Sequence, residues 1–214
     1  MDSNSQWRIP TWFPELSDDV KKKLEILFHE QLNANKSLAF FSSKMLPFVD
    51  LIHFADSIIA SKSIIESNAK IDKIFDIGSG TGLPGLVMAV MYPKVQVVCL
   101  EIDPKKAEVI SKCIALVGAK NASVVVSNVE SLPAGSIKYC MARGFANISK
   151  SILNLRKQVI VGGVFYHIKG ENWGAEVGEI PSQLCSVWTP ALVKNYVLPV
   201  GTSRFAVVKT DKIS

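Results

Sequence analysis

No Cys-x-x-Cys pair occurs in this chain. Its four cysteines, Cys99, Cys113, Cys140 and Cys185, are widely spaced. That argues against a zinc knuckle or a thioredoxin-type dithiol and for reduced, mostly buried thiols. Long apolar runs are missing as well. Apolar residues make up 48% of the 214, ample for a sizeable core. Polar or charged residues nevertheless break every apolar stretch well short of the ~20 residues that a membrane-spanning helix needs. The opening residues, MDSNSQWRIP, lack a basic segment leading into an apolar one, so no secretory signal is read there. Internal repeats and low-complexity segments are absent too. The expectation is a soluble cytoplasmic protein with no membrane partner, of one ordinary domain with an extension, its oligomeric state open with a monomer favoured.

Acidic residues are missing from one long interval. Residues 131–170 contain no aspartate or glutamate but hold Lys138, Arg143, Lys150, Arg156, Lys157 and Lys169. The rest of the charge is arranged to match. Residues 1–70 carry eight basic and nine acidic side chains, whereas residues 71–214 carry sixteen and ten, for a net +5 overall. An acid-free basic interval suggests a surface that meets phosphate, and hence a nucleic-acid partner. A chance gap in a basic protein is the alternative.

Two regimes of patterning follow one another along the chain. Residues 1–14, with two tryptophans and two prolines, read as an irregular arm packing its aromatics on the body. Ser17 followed by Asp18 and Asp19 predicts a helix start, and Leu24, Leu27, Phe28 and Leu32 recur at helical spacing. Lys21, Lys22 and Lys23 read as a solvated face. A second helix is predicted over Lys44 to about Ser67. Residues 1–70 are thus expected to form an N-terminal arm and helical extension. From residue 71 the pattern becomes α/β. KIFDI, VQVVCLE, ASVVVS, IKYCMAR and GGVFYHIKG read as strands. They alternate with helices predicted at Leu83–Met91, Pro104–Val117 and Ser149–Gln158. Such alternation means a parallel sheet with right-handed crossovers. The β-rich tail, with no helix between CSVWTP, NYVLPV and SRFAVVKT, predicts a terminal antiparallel hairpin on that sheet.

Glycine is concentrated behind the first of these strands. In KIFDIGSGTGLPG, Gly78, Gly80, Gly82 and Gly85 fall within eight residues. The loop after the first strand of such a sheet lies at its carboxyl edge, where ligands bind. Its N–H groups and the following helix form a polar cradle. Gly80 to Gly85 matches G-x-G-x-x-G, the dinucleotide fingerprint. Asp76 to Gly82 matches acid-x-G-x-G-x-G, the first motif of S-adenosylmethionine enzymes. The acid decides in favour of the second. A carboxylate complements the ammonium and sulfonium of S-adenosylmethionine but repels a pyrophosphate.

Other positions fill in a cleft around that loop. Glu101 ends the second strand, where an acid accepts from ribose hydroxyls in either nucleotide family. Asp103, before Pro104, reads as a helix cap. Glu130 follows the third strand, beside an adenine or idle on the surface. Arg143 ends the fourth strand, across the cleft from the glycines, where it suits a carboxylate or phosphate. Cys140 reads as core. The acid-or-Asn, Pro-Pro, aromatic signature of many amino-methylating enzymes is absent, as is the Pro-Cys or Thr-Cys nucleophile of pyrimidine C5 enzymes. No metal ligand set is expected.

Together, DIGSGTGLPG, ARGFA after the fourth strand, GGVFYHIKG on the fifth and HFADSI upstream resemble the bacterial small-subunit rRNA methyltransferase G family, also called glucose-inhibited division protein B. The resemblance runs over roughly residues 17–210. It implies a Rossmann-like class I methyltransferase fold: an α/β, mainly parallel seven-stranded sheet spanning 71–214 as one compact unit. The implied activity is methylation of N7 of a guanine in the decoding-region loop of 16S rRNA, with S-adenosylmethionine as cofactor and 16S rRNA or the small ribosomal subunit as partner. Gly78 and Leu83 would touch the cofactor. Val129 and Glu130 would flank its adenine, and Arg143 would sit by its methionine end or the target. Lys169 and Gly170 match the family's Lys-Gly, while His53, Asp56 and Ser57 match its upstream motif; read without the family, His53 is a packing or capping residue. Lys150, Lys169 and Arg204 are the candidate RNA contacts. Departures from the usual family pattern are Asn128, Gly144 and the stretch EIDPKK.

The implied chemistry needs little from side chains. Guanine N7 carries an in-plane lone pair, unprotonated at neutral pH, so no general base is required and alignment carries the rate. Arg143 would hold O6 or a phosphate rather than N7 itself. The target base must lie in a loop or turn outwards, and binding to RNA should weaken with salt. Two other readings remain at this point: a methyltransferase of a small molecule or protein, and a non-catalytic S-adenosylmethionine- or RNA-binding module.

Overall fold

The computed structural model describes residues 5–214, so the first four residues of the expected arm lie outside the described residues. Seven strands form one sheet in the order β3-β2-β1-β4-β5-β7-β6. They are β1 (Lys73–Ile77), β2 (Gln96–Glu101), β3 (Ala122–Val126), β4 (Ile137–Arg143), β5 (Val159–Lys169), β6 (Trp188–Val197) and β7 (Arg204–Lys212). The first five pair in parallel, whereas β7 is antiparallel to both β5 and β6. This is the Rossmann-like sheet with its terminal hairpin that the patterning predicts. The strand order reverses between β1 and β4, so a crevice opens there at the carboxyl edge.

The sheet sorts its side chains by parity, because successive residues of a strand point to opposite faces. Ile74, Cys99, Met141, Tyr166 and Val207 enter one apolar cluster. Their neighbours Phe75, Leu100, Cys140, Phe165 and Val208 enter the other. The first face is covered by α2 (Asp18–Leu38), α3 (Asp56–Ser67), α4 (Gly85–Met91) and α5 (Pro104–Val117); the second by α6 (Ile148–Asn154), α7 (Trp173–Gly178) and α8 (Ser182–Cys185). Among the described residues, the buried apolar side chains before position 70 belong to the first cluster. Ile9, Leu24, Leu27 and Phe28 are buried with Leu86 and Met88.

Several boundaries differ from the periodicity. The arm contains a helical turn, α1 (Ile9–Trp12), and Trp7 lies 4.9 Å from Phe28 and 5.4 Å from Phe54. The single helix expected over Lys44–Ser67 is three pieces: a 3-10 turn at Leu46–Phe48, a wide π-helical turn at Asp50–Ala55, and α3. Pro47 stands in the first piece. Asp50, fully buried, accepts from the backbone N–H and the guanidinium of Arg8. Helix α4 begins at Gly85, two residues later than predicted. In the tail, α7 and α8 lack an apolar period long enough to read from sequence. Strand β6 runs unbroken through Pro190, which an edge strand tolerates because one row of its N–H groups has no partner strand. Two caps match their expectation: Ser17 accepts from Val20 N–H, and Asp103 from Lys105 N–H.

Candidate active site

The glycine loop turns at the end of β1 through positive φ at Gly78 (66°), Gly80 (57°) and Gly82 (86°), a conformation that side chains disfavour. Close packing adds a second reason at two places. A Cβ on Gly78 would lie 3.0 Å from the Phe145 ring, and one on Gly85 would lie 2.7 Å from Asp76 Oδ2. Asp76 itself is buried beneath the loop. Its Oδ2 accepts from Gly85 N–H at 3.0 Å, while Oδ1 has no partner among the described residues. Burial pushes its pKa up to about 6, partly offset by the Gly85 N–H and by the charge of Arg143. Asp76 therefore organises the loop from behind and contributes field, not a wall, to the cleft.

Two concavities meet at Gly78. The smaller, about 140 Å³, lies between Leu100, Glu101, Ile102, Asn128, Val129 and Phe145. Val129 and Glu101 thus line one hollow. The Glu101 carboxylate also builds the loop: Oε2 accepts from Gly80 N–H at 2.7 Å and Oε1 from Asp103 N–H at 3.0 Å. Glu130 does not line this pocket. It borders a different hollow, with Arg156 and Lys157, and its N–H is bound by Asn128 Oδ1 at 3.2 Å.

The larger cleft, about 530 Å³, is walled by Gly78 to Thr81, Leu83, Phe40, Phe41, His53, Asp56, Arg143 and Lys169. Arg143 is its most constrained side chain. Nη1 donates to Asp56 Oδ2 (2.9 Å), His53 O (3.1 Å) and Ser57 Oγ (3.2 Å), and Nη2 lies 3.2 Å from His53 Nδ1. A guanidinium can only donate, so Nδ1 must be the acceptor and His53 is neutral with its proton on Nε2. Burial, then the neighbouring Arg143 charge, pulls the His53 pKa down to about 3. The other oxygen of Asp56 accepts from the Tyr196 hydroxyl at 2.7 Å. The upstream His-x-x-Asp-Ser thus holds Arg143, and does so from the wide turn and the start of α3.

The β4 and β5 motifs hold each other. In Arg143-Gly-Phe-Ala146, the arginine joins the network, Phe145 covers Gly78, and the Ala146 carbonyl accepts from Lys169 Nζ at 2.6 Å. Lys169 also pairs with Glu176 at 2.7 Å, and its side chain is only 13% exposed. The sequence reading expected Lys169 as an RNA contact; in the structure it stands on the cleft wall with its ammonium held by Ala146 O and Glu176. Lys150 on α6 and Arg204 at the start of β7 are exposed.

The acid-free interval does not form one face. Lys138 enters β4 at the amino edge, and Arg143 leaves it at the carboxyl edge. Five residues of strand separate them by roughly 17 Å. Arg156 and Lys157 stand just before β5, away from Lys150. Parallel strands place their starts and ends on opposite edges, which disperses charges that are neighbours in sequence.

Some site residues gave no usable signal. Phe40 and Phe41 follow the end of α2 and reach the cleft. Tyr196 comes from the far end of the chain. Gln31 did leave a trace. It falls on the apolar stripe of α2 after Leu24 and Phe28 and is fully buried. Its Nε2 donates to Thr81 O in the glycine loop at 3.0 Å.

Comparison with known proteins agrees with this geometry. The family model for rRNA small subunit methyltransferase G (GidB) matches residues 20–189. The chain is 53% identical over 208 residues to "Ribosomal RNA small subunit methyltransferase G 3" of Bdellovibrio bacteriovorus, covering 97% of this chain and 94% of that protein. A homologue bearing the same family name in Paracoccus denitrificans is 27% identical over 148 residues, covering 69% of this chain and 75% of its own. Among solved structures, a SAM-dependent methyltransferase from Aquifex aeolicus superposes with TM-score 0.56 at 16% identity, covering 79% of this chain and 98% of that one, which bears on the fold alone. A sheet of order 3-2-1-4-5-7-6, a cradle of positive-φ glycines at its switch point and an arginine anchored opposite them thus coincide with a family match over most of the chain, which belongs to the rRNA small subunit methyltransferase G family.

Proposed function

We propose that this protein transfers a methyl group from S-adenosylmethionine to N7 of a guanine in the decoding-region loop of 16S rRNA. The observation that carries the reading is the meeting of two unequal concavities at Gly78. The small one has apolar walls and the Glu101 carboxylate, suited to an adenine and its ribose. The large one is flanked by the glycine loop and Arg143, suited to an amino-acid end and an incoming base. A residue with a Cβ at Gly78 would close the passage against Phe145. These features fit S-adenosylmethionine, which when bound supplies an electrophilic methyl group on a sulfonium.

In this reading Val129 packs on the adenine and Glu101 accepts from the ribose with its remaining lone pairs. Gly78, Gly80, Gly82 and Leu83 shape the backbone that faces the cofactor, and Asp76 adds negative potential beneath it. Arg143 keeps Nε–H and one Nη2–H for a ligand after its protein contacts are made, and holds guanine O6 or an adjacent phosphate. The residues align and exclude water. Such alignment contributes about 7–11 kcal/mol in favourable cases. Residues 1–70 serve as an extension whose wide turn clamps Arg143 and whose α2 supports the loop through Gln31. Lys150 and Arg204 meet the RNA backbone. No helix among the described residues is long and apolar enough to cross a membrane.

The decisive experiment is chemical mapping of N7-methylguanine in 16S rRNA from cells with and without the gene, followed by transfer from labelled S-adenosylmethionine to small subunits from the deletion strain. Loss of one modified guanine and its restoration in vitro are expected. An unchanged modification pattern would refute the proposal.

A further inference from the structure

The large cleft continues along the carboxyl edge past Arg143. Lys169 and Gly170 at the end of β5 and Phe205 on β7 line it together with Gly78 and Arg143. Arg143 pairs in register with Ile168, and Ile168 with Val207. Phe205 lies two residues nearer the edge than Val207, so its ring leaves the sheet on the face that Arg143 occupies. Two strand spacings put it about 10 Å to the side of Arg143 and about 7 Å further out.

The ring of Phe205 is backed from one side. Tyr196 stacks on it at 5.9 Å and 21°, and the Tyr196 hydroxyl is bound to Asp56, which holds Arg143. Tyr196 lines the neighbouring hollow, whereas Phe205 lines the cleft. The tyrosine therefore supports the outer face of the ring, and the opposite face looks into the cleft. The other phenylalanines there are placed differently. Phe41 is buried against His53 at 4.7 Å. Phe40 comes from the corner after α2, the helix that packs on α4 and α5 and bonds the glycine loop, over the cofactor half.

The proposed reaction requires such a surface. The N7 lone pair lies in the plane of the guanine, so the sulfonium–methyl bond must lie in that plane as well. A hydrogen bond to O6 fixes where the edge points but lets the ring tilt about it. A stacking face fixes the plane, and it replaces the stacking that the base gives up on leaving the RNA. Resting on the methyltransferase reading above, we infer that Phe205 is the platform on which the target guanine stacks. Arg143 then sets the edge of the base and Phe205 its plane.

The test measures transfer from S-adenosylmethionine to small subunits of the deletion strain, with wild-type protein, Phe205→Leu and Phe205→Tyr. Leucine stays apolar but has no flat face, and tyrosine keeps the face. Phe205→Leu should lose roughly tenfold or more in kcat/KM, whereas Phe205→Tyr should stay within about threefold of wild type. Both should bind S-adenosylmethionine as the wild type does. A second measurement needs no variant. Small subunits carrying 6-thioguanosine at the target position, irradiated with wild-type protein and S-adenosylhomocysteine, should crosslink to Phe205. A leucine variant as active as wild type, a tyrosine variant as impaired as the leucine one, or a crosslink confined to other residues would overturn the assignment. Wild-type protein that methylates no guanine at N7 in these subunits removes the parent reading instead, so the wild-type rate alone tells the two failures apart.

Discussion

Arg143 meets Asp56 at 2.9 Å across 87 residues of sequence, inside a site where the carboxylate side chain is only 3% exposed. The pair ties the end of β4 to the first turn of α3. Removing one member strands the other. Arg143→Ala should destabilise the fold by about 3–5 kcal/mol, because a buried carboxylate loses its counter-charge. It should also abolish methyl transfer. Arg143→Ala combined with Asp56→Asn should recover most of the melting temperature but none of the transfer. Calorimetric titration with S-adenosylmethionine tells the two roles apart. Retained binding in the double variant assigns Arg143 to the target base, and lost binding assigns it to the cofactor.

Gln31 supports the glycine loop without touching a ligand. Gln31→Met removes both its bond to Thr81 O and the buried Oε1 that lacks a partner, so stability should barely move. The loop loses one net hydrogen bond, worth about 0.5–1.5 kcal/mol. S-adenosylmethionine affinity should fall by a corresponding few-fold, with kcat at saturating cofactor unchanged. A destabilised variant with normal affinity would show that Gln31 serves only the core.

Asp76 makes the site sensitive to acid in a definite direction. Its folded pKa, about 6, lies above the ordinary 3.8, so the native state binds the extra proton between about pH 4 and 6. Stability contributed by this group is therefore present at low pH and lost as pH rises through that window. Asp76→Asn carries no charge and should gain on the wild type by about 3 kcal/mol in all as pH rises from below 4 to above 6, of which about 1.4 kcal/mol falls between pH 5 and pH 7.5. A cationic ligand favours the carboxylate. S-adenosylmethionine should thus bind wild-type protein more tightly as pH rises through 6, and the asparagine variant with little pH dependence. Thermal melts and titrations at the two pH values check both signs.

His53 behaves in the opposite sense. Its folded pKa, about 3, lies below the ordinary 6.5, and His167, bound to Thr210, is depressed to the same level. The unfolded chain takes up protons that the native state refuses. The stability these residues contribute is complete above pH 6.5 and lost as pH falls towards 3. His53→Asn retains an acceptor for Arg143 and cannot become a cation, so it should keep activity and melt with a shallower acid dependence. Transfer that vanishes in His53→Asn while Arg143 stays in place would mean that the imidazole serves the RNA directly.

Local signals were legible where one residue type answers to one backbone need. The helix starts at Ser17 and Asp103 follow from caps, and the end of α5 follows from Gly118, which adopts φ 63°. The glycine loop was legible because close approach and positive φ leave few alternatives. The helix over Lys44–Ser67 was not, since burying Asp50 against Arg8 and aiming His53 and Asp56 at Arg143 favours a wide turn that periodicity does not encode. The surroundings of Lys169 and Glu130 were illegible for a related reason. Each is polar and near the cleft in sequence, but one is neutralised by Glu176 and Ala146 and the other faces a separate hollow.

What the chain determined by itself was the order of strands and helices, the two-faced alternation that buries them, and the position of the glycine cradle at a strand end. These depend on neighbours a few residues away. Only the tertiary structure decided which charges are spent inside and which remain for a partner. The acid-free interval looked like one basic surface, yet parallel strands carried Lys138 and Arg143 to opposite edges. Distant carboxylates, Asp56 and Glu176, then paired with Arg143 and Lys169 beside the cleft. Pairing of buried charge is settled by three-dimensional proximity and desolvation, and neither is written in sequence spacing.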